Sequence, residues 1–197
     1  MIKKYKVTFL LDPSNLWIEK YIRKYNFKLS KKYLFKISKK AQYVKHQDIV
    51  FPLSYTKILK KSFLKRNKLV MIAHPSKLPK DKGFAPIQYQ ILKNQKKIYV
   101  SLIKADEKVD TGPLYKRNFF ILDGRELSDE IRHKQFVNIV KIIKQFLIKY
   151  PKHKFTKQVG KGTFNKKRFK KDSELNINKT IKSQFNHLRI NDNKLYP

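Results

Sequence analysis

Cysteine is absent from this chain of 197 residues, which excludes disulfides, zinc–thiolate sites and thiol nucleophiles together. No apolar run approaches the roughly 20 residues that a membrane-spanning helix needs. The opening, MIKKYKVTFLLD, turns acidic too soon for a secretory leader. A soluble, cytoplasmic protein with no membrane partner is therefore expected. Glycine is scarce, five in all, and the turn after the first expected strand, Asp12-Pro13-Ser14-Asn15, contains none. The glycine-rich fingerprint that carries NAD or FAD on the usual plan is thus missing.

Acidic residues are also few, 14 against 48 Lys and Arg, for a net charge of +34. Such an excess suggests an anionic partner. Only seven of the basic residues are Arg, however, whereas bidentate recognition of phosphates and bases favours Arg. The lysines run along almost the whole chain, as a compositional drift toward Lys, Asn and Ile would leave them. Two other readings stand beside that one: a field that captures an anionic nucleotide substrate, and non-specific nucleic-acid binding.

What is present reads as one α/β domain with enough apolar residues, 41%, for a real core. Tyr5 to Leu11 is an apolar strand. Trp17, Ile18, Tyr21, Ile22 and Tyr25 recur at helical spacing after it. A short edge strand is expected around Tyr33 to Ile37 and a buried one from Asp48 to Leu53. A helix is expected over Tyr55 to Leu64, with Ile58, Leu59, Phe63 and Leu64 on its period. Leu69 to Ala73 is a buried strand that delivers His74 into a loop. Pro86 to Asn94 suits a crossover helix and Ile98 to Lys104 a second strand, together a parallel βαβ unit. Strand ends in such a unit point the same way, so Asp110 in the following loop meets His74.

Leu114 to Leu122 is the next strand. Asp123 to Glu126 reads as a capping-box variant opening a long helix, with Leu127, Ile131, Val137, Val140, Ile143, Phe146 and Leu147 on one face and its stop at Tyr150. His46 and His133 read as surface residues. The organisation expected is a core over 1–150, a basic connecting loop over 151–172 and a closing segment over 173–197. The connection, Lys152 to Lys171, reads as partly mobile and as a solvated loop in preference to a phosphate-contacting lid. In the closing segment, Ile181, Phe185, Leu188 and Ile190 mark a short helix and its continuation.

The stretch from His74 to Gly112 carries a specific pattern: His74, Pro75, Ser76, Leu78, Pro79, Lys82, Gly83, Pro86, then Asp110, Thr111 and Gly112. It resembles the 10-formyltetrahydrofolate-dependent formyltransferases, without a gap from the His to the Asp. The segments VTFLLDPSNLWIEKYI, FILDGREL and KKDSELNINKTIKSQFNHLRINDNKLYP are similar to a shorter branch of that family, the nucleotide-sugar N-formyltransferases. The resemblance implies a Rossmann-like, mostly parallel sheet with helices on both faces, the formyltransferase fold. It implies 10-formyltetrahydrofolate as co-substrate, no metal, and an amino-sugar nucleotide or similar small acceptor, and it leaves a homodimer open. His74 would be base or oxyanion donor and Asp110 its orienting partner. Ile72, Ser76, Leu78, Pro79, Lys82, Gly83, Asp106, Glu107 and Lys108 would border the folate, and Asp12, Ser14, Asn15 and Trp17 the acceptor.

One departure stands out. The family sets an Asn two positions before the His, and the shorter branch four positions before it, where this chain has Ile72 and Val70. Losing one oxyanion donor costs about 10²–10³ in rate. Asn67, Ser76 or a backbone N–H are the stand-ins to consider. Two rivals remain. One is methionyl-tRNA formylation, against which stands the expected lack of the large C-terminal tRNA-binding domain, the chain being expected to lack a final piece after Tyr196-Pro197. The other is a non-catalytic basic binding protein on a decayed formyltransferase fold.

Overall fold

A computed structural model describes residues 4–25 and 31–192; the last stretch of the expected closing segment, 193–197, lies outside them. In chain order the strands are β1 (Tyr5–Leu11), β2 (Tyr33–Ser38), β3 (Ile49–Leu53), β4 (Met71–His74), β5 (Lys82–Gly83), β6 (Lys97–Lys104), β7 (Leu114–Ile121) and β8 (Phe164–Asn165). The α-helices are α1 (Glu19–Lys24), α2 (Lys61–Lys65), α3 (Pro86–Leu92), α4 (Ser128–Lys149) and α5 (Ile181–Ile190).

β1 lies between β2 and β3, parallel to both. The sheet continues from β3 to β4 through a parallel bridge, Val50 with Val70, where the Val50 N–H donates to the Leu69 carbonyl at 2.8 Å. Beyond β4 the direction reverses: β6 runs antiparallel to β4, and β7 antiparallel to β6. The fold is thus mixed α/β with a parallel half, and the parallel βαβ unit expected over β4, α3 and β6 is corrected. α3 does not recross the sheet. Its apolar residues, Ile87 and Ile91, are buried with Ile98, Leu122, Ile131 and Ile190 in a separate small core, so the chain re-enters from the end at which it left.

Alternation along the strands divides the sheet's two faces. Val7, Phe9 and Leu11 of β1 join Ile49, Phe51, Leu53, Met71, Val100 and Leu102 in the main core. Trp17, Ile18 and Ile22 at α1, and Phe136, Ile139, Val140, Ile143, Phe146 and Leu147 of α4, cover that face. Leu10, Val50 and Val70 face the other way, against Val44 and Phe63 of α2. The helix expected from Tyr55 shrinks to α2, and Ile58 is exposed. Leu127 and Val137, placed on the buried face of α4 by periodicity, are exposed; Phe136 and Ile139 take the core positions instead.

Glu126 also differs from its expected role. Its carboxylate does accept from the N–H groups of Asp123 at 2.9 Å and Gly124 at 3.1 Å, yet α4 starts beyond it and Glu130 reaches back to the Leu127 N–H at 3.0 Å. Glu126 is the buried anchor of α5. Arg189 Nη2 lies 3.2 Å from its carboxylate and Arg189 Nε donates to its carbonyl at 3.0 Å, while Lys134 pairs with the other carboxylate oxygen. Burial pushes this carboxyl up, but the hydrogen bonds from Lys134 and the backbone hold it well below the usual carboxylate range. Glu126→Ala leaves Arg189 buried without its anion and is expected to destabilise the fold by about 3–5 kcal/mol, read as a lowered urea midpoint.

Candidate active site

β4 ends on His74, 6% exposed, and the chain then folds into the 75–85 loop. This loop is stapled from beneath. Ser76 Oγ donates to the Lys80 carbonyl at 2.7 Å, Ser101 Oγ to the Ser76 carbonyl at 2.6 Å, and Gln90 Nε2 to the Pro75 carbonyl at 2.8 Å. Leu78 is fully buried with Ile103 and Leu114. Asp81, in left-handed backbone at φ 55°, turns its carbonyl onto His74 Nε2 at 2.8 Å. A carbonyl only accepts, so Nε2 carries the proton in that contact.

Nδ1 of His74 faces Asp110 Oδ2 at 3.4 Å, with both side chains under a tenth exposed. The same carboxylate oxygen accepts the Gly83 N–H at 2.8 Å. The pair meets even though β4 and β6 are antiparallel. β4 is only four residues, about 13 Å at strand rise, and the 105–113 loop doubles back along it. Gly112 allows that return, because a Cβ there would stand 1.8 Å from the Lys104 carbonyl oxygen. Asp110 sits at φ 54°, in the left-handed region that Asp tolerates better than most side chains.

The basic connection is mostly exposed, as expected of a solvated loop, but a few ties make it a strap over this site. Thr156 exchanges backbone hydrogen bonds with Leu114, both at 2.8 Å. Gln158 Nε2 donates to the carbonyls of Asp110 at 2.9 Å and Gly112 at 2.8 Å. Thr163 Oγ1 accepts the Asp81 N–H at 2.8 Å, and β8 then pairs in parallel with β5, Lys82 against Phe164 and Gly83 against Asn165. Gly83, at φ 84°, has no room for a Cβ, which would lie 2.7 Å from the Asn165 carbonyl oxygen. Pro79, Lys82, Thr111, Pro113, Lys157, Gln158, Gly160 and Gly162 line an open cavity of about 500 Å³.

Of the residues expected at the site, His74, Asp110 and Gly83 come together, and Pro79 and Lys82 line the cavity. Ser76 and Leu78 shape the loop from within. Ile72 shares the His74 face of β4 but packs against Leu78, Ile103 and Leu114. Asp106, Glu107 and Lys108 are exposed, and Glu107 pairs with Lys61 at 2.7 Å. Val70 is in the core, and Asn67 is engaged elsewhere: its amide donates to Val44 and Phe63 carbonyls and accepts from the Gln47 N–H.

The residues expected on the acceptor side lie in the loop after β1 and in the helical turn that follows it. Asp12 is fully buried, one carboxylate oxygen taken by the Ser14 N–H and hydroxyl and the other by those of Thr56. Asn15 Nδ2 donates to the Ser54 carbonyl at 3.0 Å, and Trp17 lies in the main core. Asp12, Asn15 and Thr56 tie the loops after β1 and β3 together, and Ser14 is exposed. Pattern reading missed Asp81, Gln158, Thr163 and Asn165, because a two-residue strand and single side-chain ties leave no periodicity.

The fold and site define an α/β protein with a buried His–Asp pair at the end of a sheet strand, roofed by two loops and a strap. A formyl transferase family profile matches residues 12–135, well over half of the chain. The chain belongs to the formyl transferase family. It is 30% identical over 155 residues to the methionyl-tRNA formyltransferase of Mycoplasma genitalium, covering 76% of this chain and 44% of that protein. The corresponding enzyme of Thermodesulfovibrio yellowstonii is 30% identical over 140 residues, covering 70% and 46%. The chain spans about half the length of the curated relatives it matches.

Among solved structures, methionyl-tRNA formyltransferase from Clostridium thermocellum superposes with a TM-score of 0.83 at 21% identity, over 98% of this chain and 86% of that one. An N-formyltransferase from Helicobacter canadensis, in complex with folinic acid and dTDP-3-aminofucose, gives 0.65 at 19% identity, over 96% and 80%. Both are likenesses of fold.

The Asp12 network has a measurable consequence. Burial raises its carboxyl, but the hydrogen bonds from Thr56 and Ser14 outweigh that and bring it from 3.8 to about 2. Its contribution, about 2 kcal/mol, is complete above the unfolded value of 3.8 and is lost as pH falls through the folded value of about 2. Urea midpoints of the wild type are expected to fall across that interval, and Asp12→Asn to be less stable at neutral pH with a flatter acid limb.

Proposed function

We propose that this chain moves a formyl group from 10-formyltetrahydrofolate to a primary amine, with His74 and Asp110 handling the amine's proton. The observation that carries the reading is the buried His74–Asp110 contact, held by the Gly83 N–H next to a cavity of about 500 Å³. That volume lies within the range of ordinary small-molecule pockets. Among the described residues no group hydrogen-bonds Asp110 Oδ1, which leaves that oxygen to accept a proton from the incoming amine directly or through one water. His74, its Nε2 anchored on the Asp81 carbonyl, presents Nδ1 to the same carboxylate and completes a relay for returning the proton to the leaving nitrogen. These steps are proton transfers between side chains and substrate and are written without a metal.

Two acceptors suit this chemistry. An amino-sugar nucleotide is supported by the likeness to the Helicobacter canadensis protein. Methionyl-tRNA is supported by the 30% identity to the Mycoplasma genitalium enzyme and by the net charge of +34, which draws polyanions. Parallel assays of formyl transfer to a panel of amino-sugar nucleotides and to methionylated initiator tRNA separate them by which one turns over.

In whichever assay turns over, His74→Ala and Asp110→Asn are each expected to lower kcat by about 10²–10⁴. Asp110→Asn keeps an acceptor for the Gly83 N–H, so its melting temperature should stay close to wild type. Full activity of either variant would refute the proton-handling role.

A further inference from the structure

Asp110 is carried by a loop with few attachments of its own. Among the described residues no backbone–backbone hydrogen bond joins residues 106–112 to another part of the chain. Asp110 also stands in left-handed backbone at φ 54°, which a residue other than glycine keeps only where its surroundings hold it. Two ties from outside reach this turn. The Gly83 N–H donates to the Asp110 carboxylate at 2.8 Å, and Gln158 Nε2 donates to the carbonyls of Asp110 at 2.9 Å and Gly112 at 2.8 Å. The strap fixes where Gln158 reaches. Thr156 and Leu114 form an antiparallel bridge, and continuing its register by two residues sets position 158 opposite 112. One amide nitrogen with two hydrogens can serve both carbonyls, whereas a carboxylate offers no donor.

We propose that Gln158 is a positioning residue: its amide holds the backbone of Asp110 so that the carboxylate stays against His74. The assignment rests on the formyl-transfer reading and deepens it by making the strap part of the reacting site. Gly83 grips only the carboxylate, so without Gln158 the 110–112 backbone is free to relax toward an ordinary φ and to carry that carboxylate off His74 Nδ1. The strap holds the other partner as well, since Thr163 Oγ1 accepts the Asp81 N–H and the Asp81 carbonyl accepts from His74 Nε2. Gln158 lines the cavity too, so the same side chain borders the bound ligand and fixes the carboxylate that acts on it.

The test uses the full chain and Gln158→Met, which keeps the length of the side chain and removes the donor. With the acceptor the wild type uses, kcat is expected to fall by about 10–10². In the Asp110→Asn background the same substitution should cost less than about threefold, because the carboxylate it positions is gone. The second readout needs no activity. In ¹⁵N-histidine-labelled protein the imidazole signals of His74, identified among the five histidines by their loss in His74→Ala, should shift in Gln158→Met. Tyr89→Phe releases the strap at the Lys166 carbonyl, away from Asp110, and should leave both kcat and those signals at their wild-type values. Melting temperature shows whether Gln158→Met is folded; if it is not, Gln158→Glu takes its place. Unchanged His74 signals, or losses that multiply in the double variant, overturn the Gln158 role and leave formyl transfer standing. Shifted signals in a chain that formylates neither acceptor overturn the formyl-transfer reading, and with it the reaction that Gln158 serves.

Discussion

One carboxylate oxygen organises this molecule. Asp110 Oδ2 accepts the Gly83 N–H and faces His74 Nδ1, so a single buried atom joins the end of β4, the 75–85 loop and the 105–113 loop. Both side chains are under a tenth exposed, and hydrogen bonds shielded from water are stronger than those at the surface. The contact is supported on every side. Gln158 holds the Asp110 carbonyl, the Asp81 carbonyl holds the far edge of the imidazole, and Asn165 closes the ladder on Gly83.

The sheet is built so that rigidity and chemistry are separated. Its parallel half, β2, β1, β3 and the start of β4, buries large apolar side chains against α1 and α4 and leaves its loop residues, Asp12 and Asn15 among them, tying strand ends together. Its antiparallel half, β4, β6 and β7, carries the loops that close over His74. The reacting groups sit at the seam between the two, where the change of direction leaves room for the 105–113 loop to return. That seam is why a change of strand direction, which pattern reading placed wrongly, still brings His74 to Asp110.

The positive charge has a narrower meaning than its size suggests. Two lysines, Lys82 and Lys157, line the cavity, while most of the remainder are spread over the surface. A field of this sign steers any anion toward the protein, and a folate with its carboxylates, a nucleotide-linked sugar and a tRNA are all anionic. Charge therefore favours the whole set of substrates and does not choose among acceptors; shape and hydrogen bonding at the cavity must do so.

Several elements were determined by the sequence alone. The strands β1, β3 and β7, the long helix α4 with its stop before Pro151, and the His74 to Asp110 pattern were legible because periodicity and residue type are local properties. Tertiary structure decided the rest. It gave β6 its antiparallel direction, with α3 packed on Ile98 at the start of that strand and on Ile190 of α5. It turned Asp12 and Asn67 into scaffold and Glu126 into a buried anchor, since a polar side chain's role depends on which partners folding brings within hydrogen-bond reach. It made a strap of the basic segment through β8 and a few side-chain ties. Such contacts join residues some eighty positions apart, Asp81 with Thr163 and Gly83 with Asn165, and the pattern of neighbouring residues carries no trace of them.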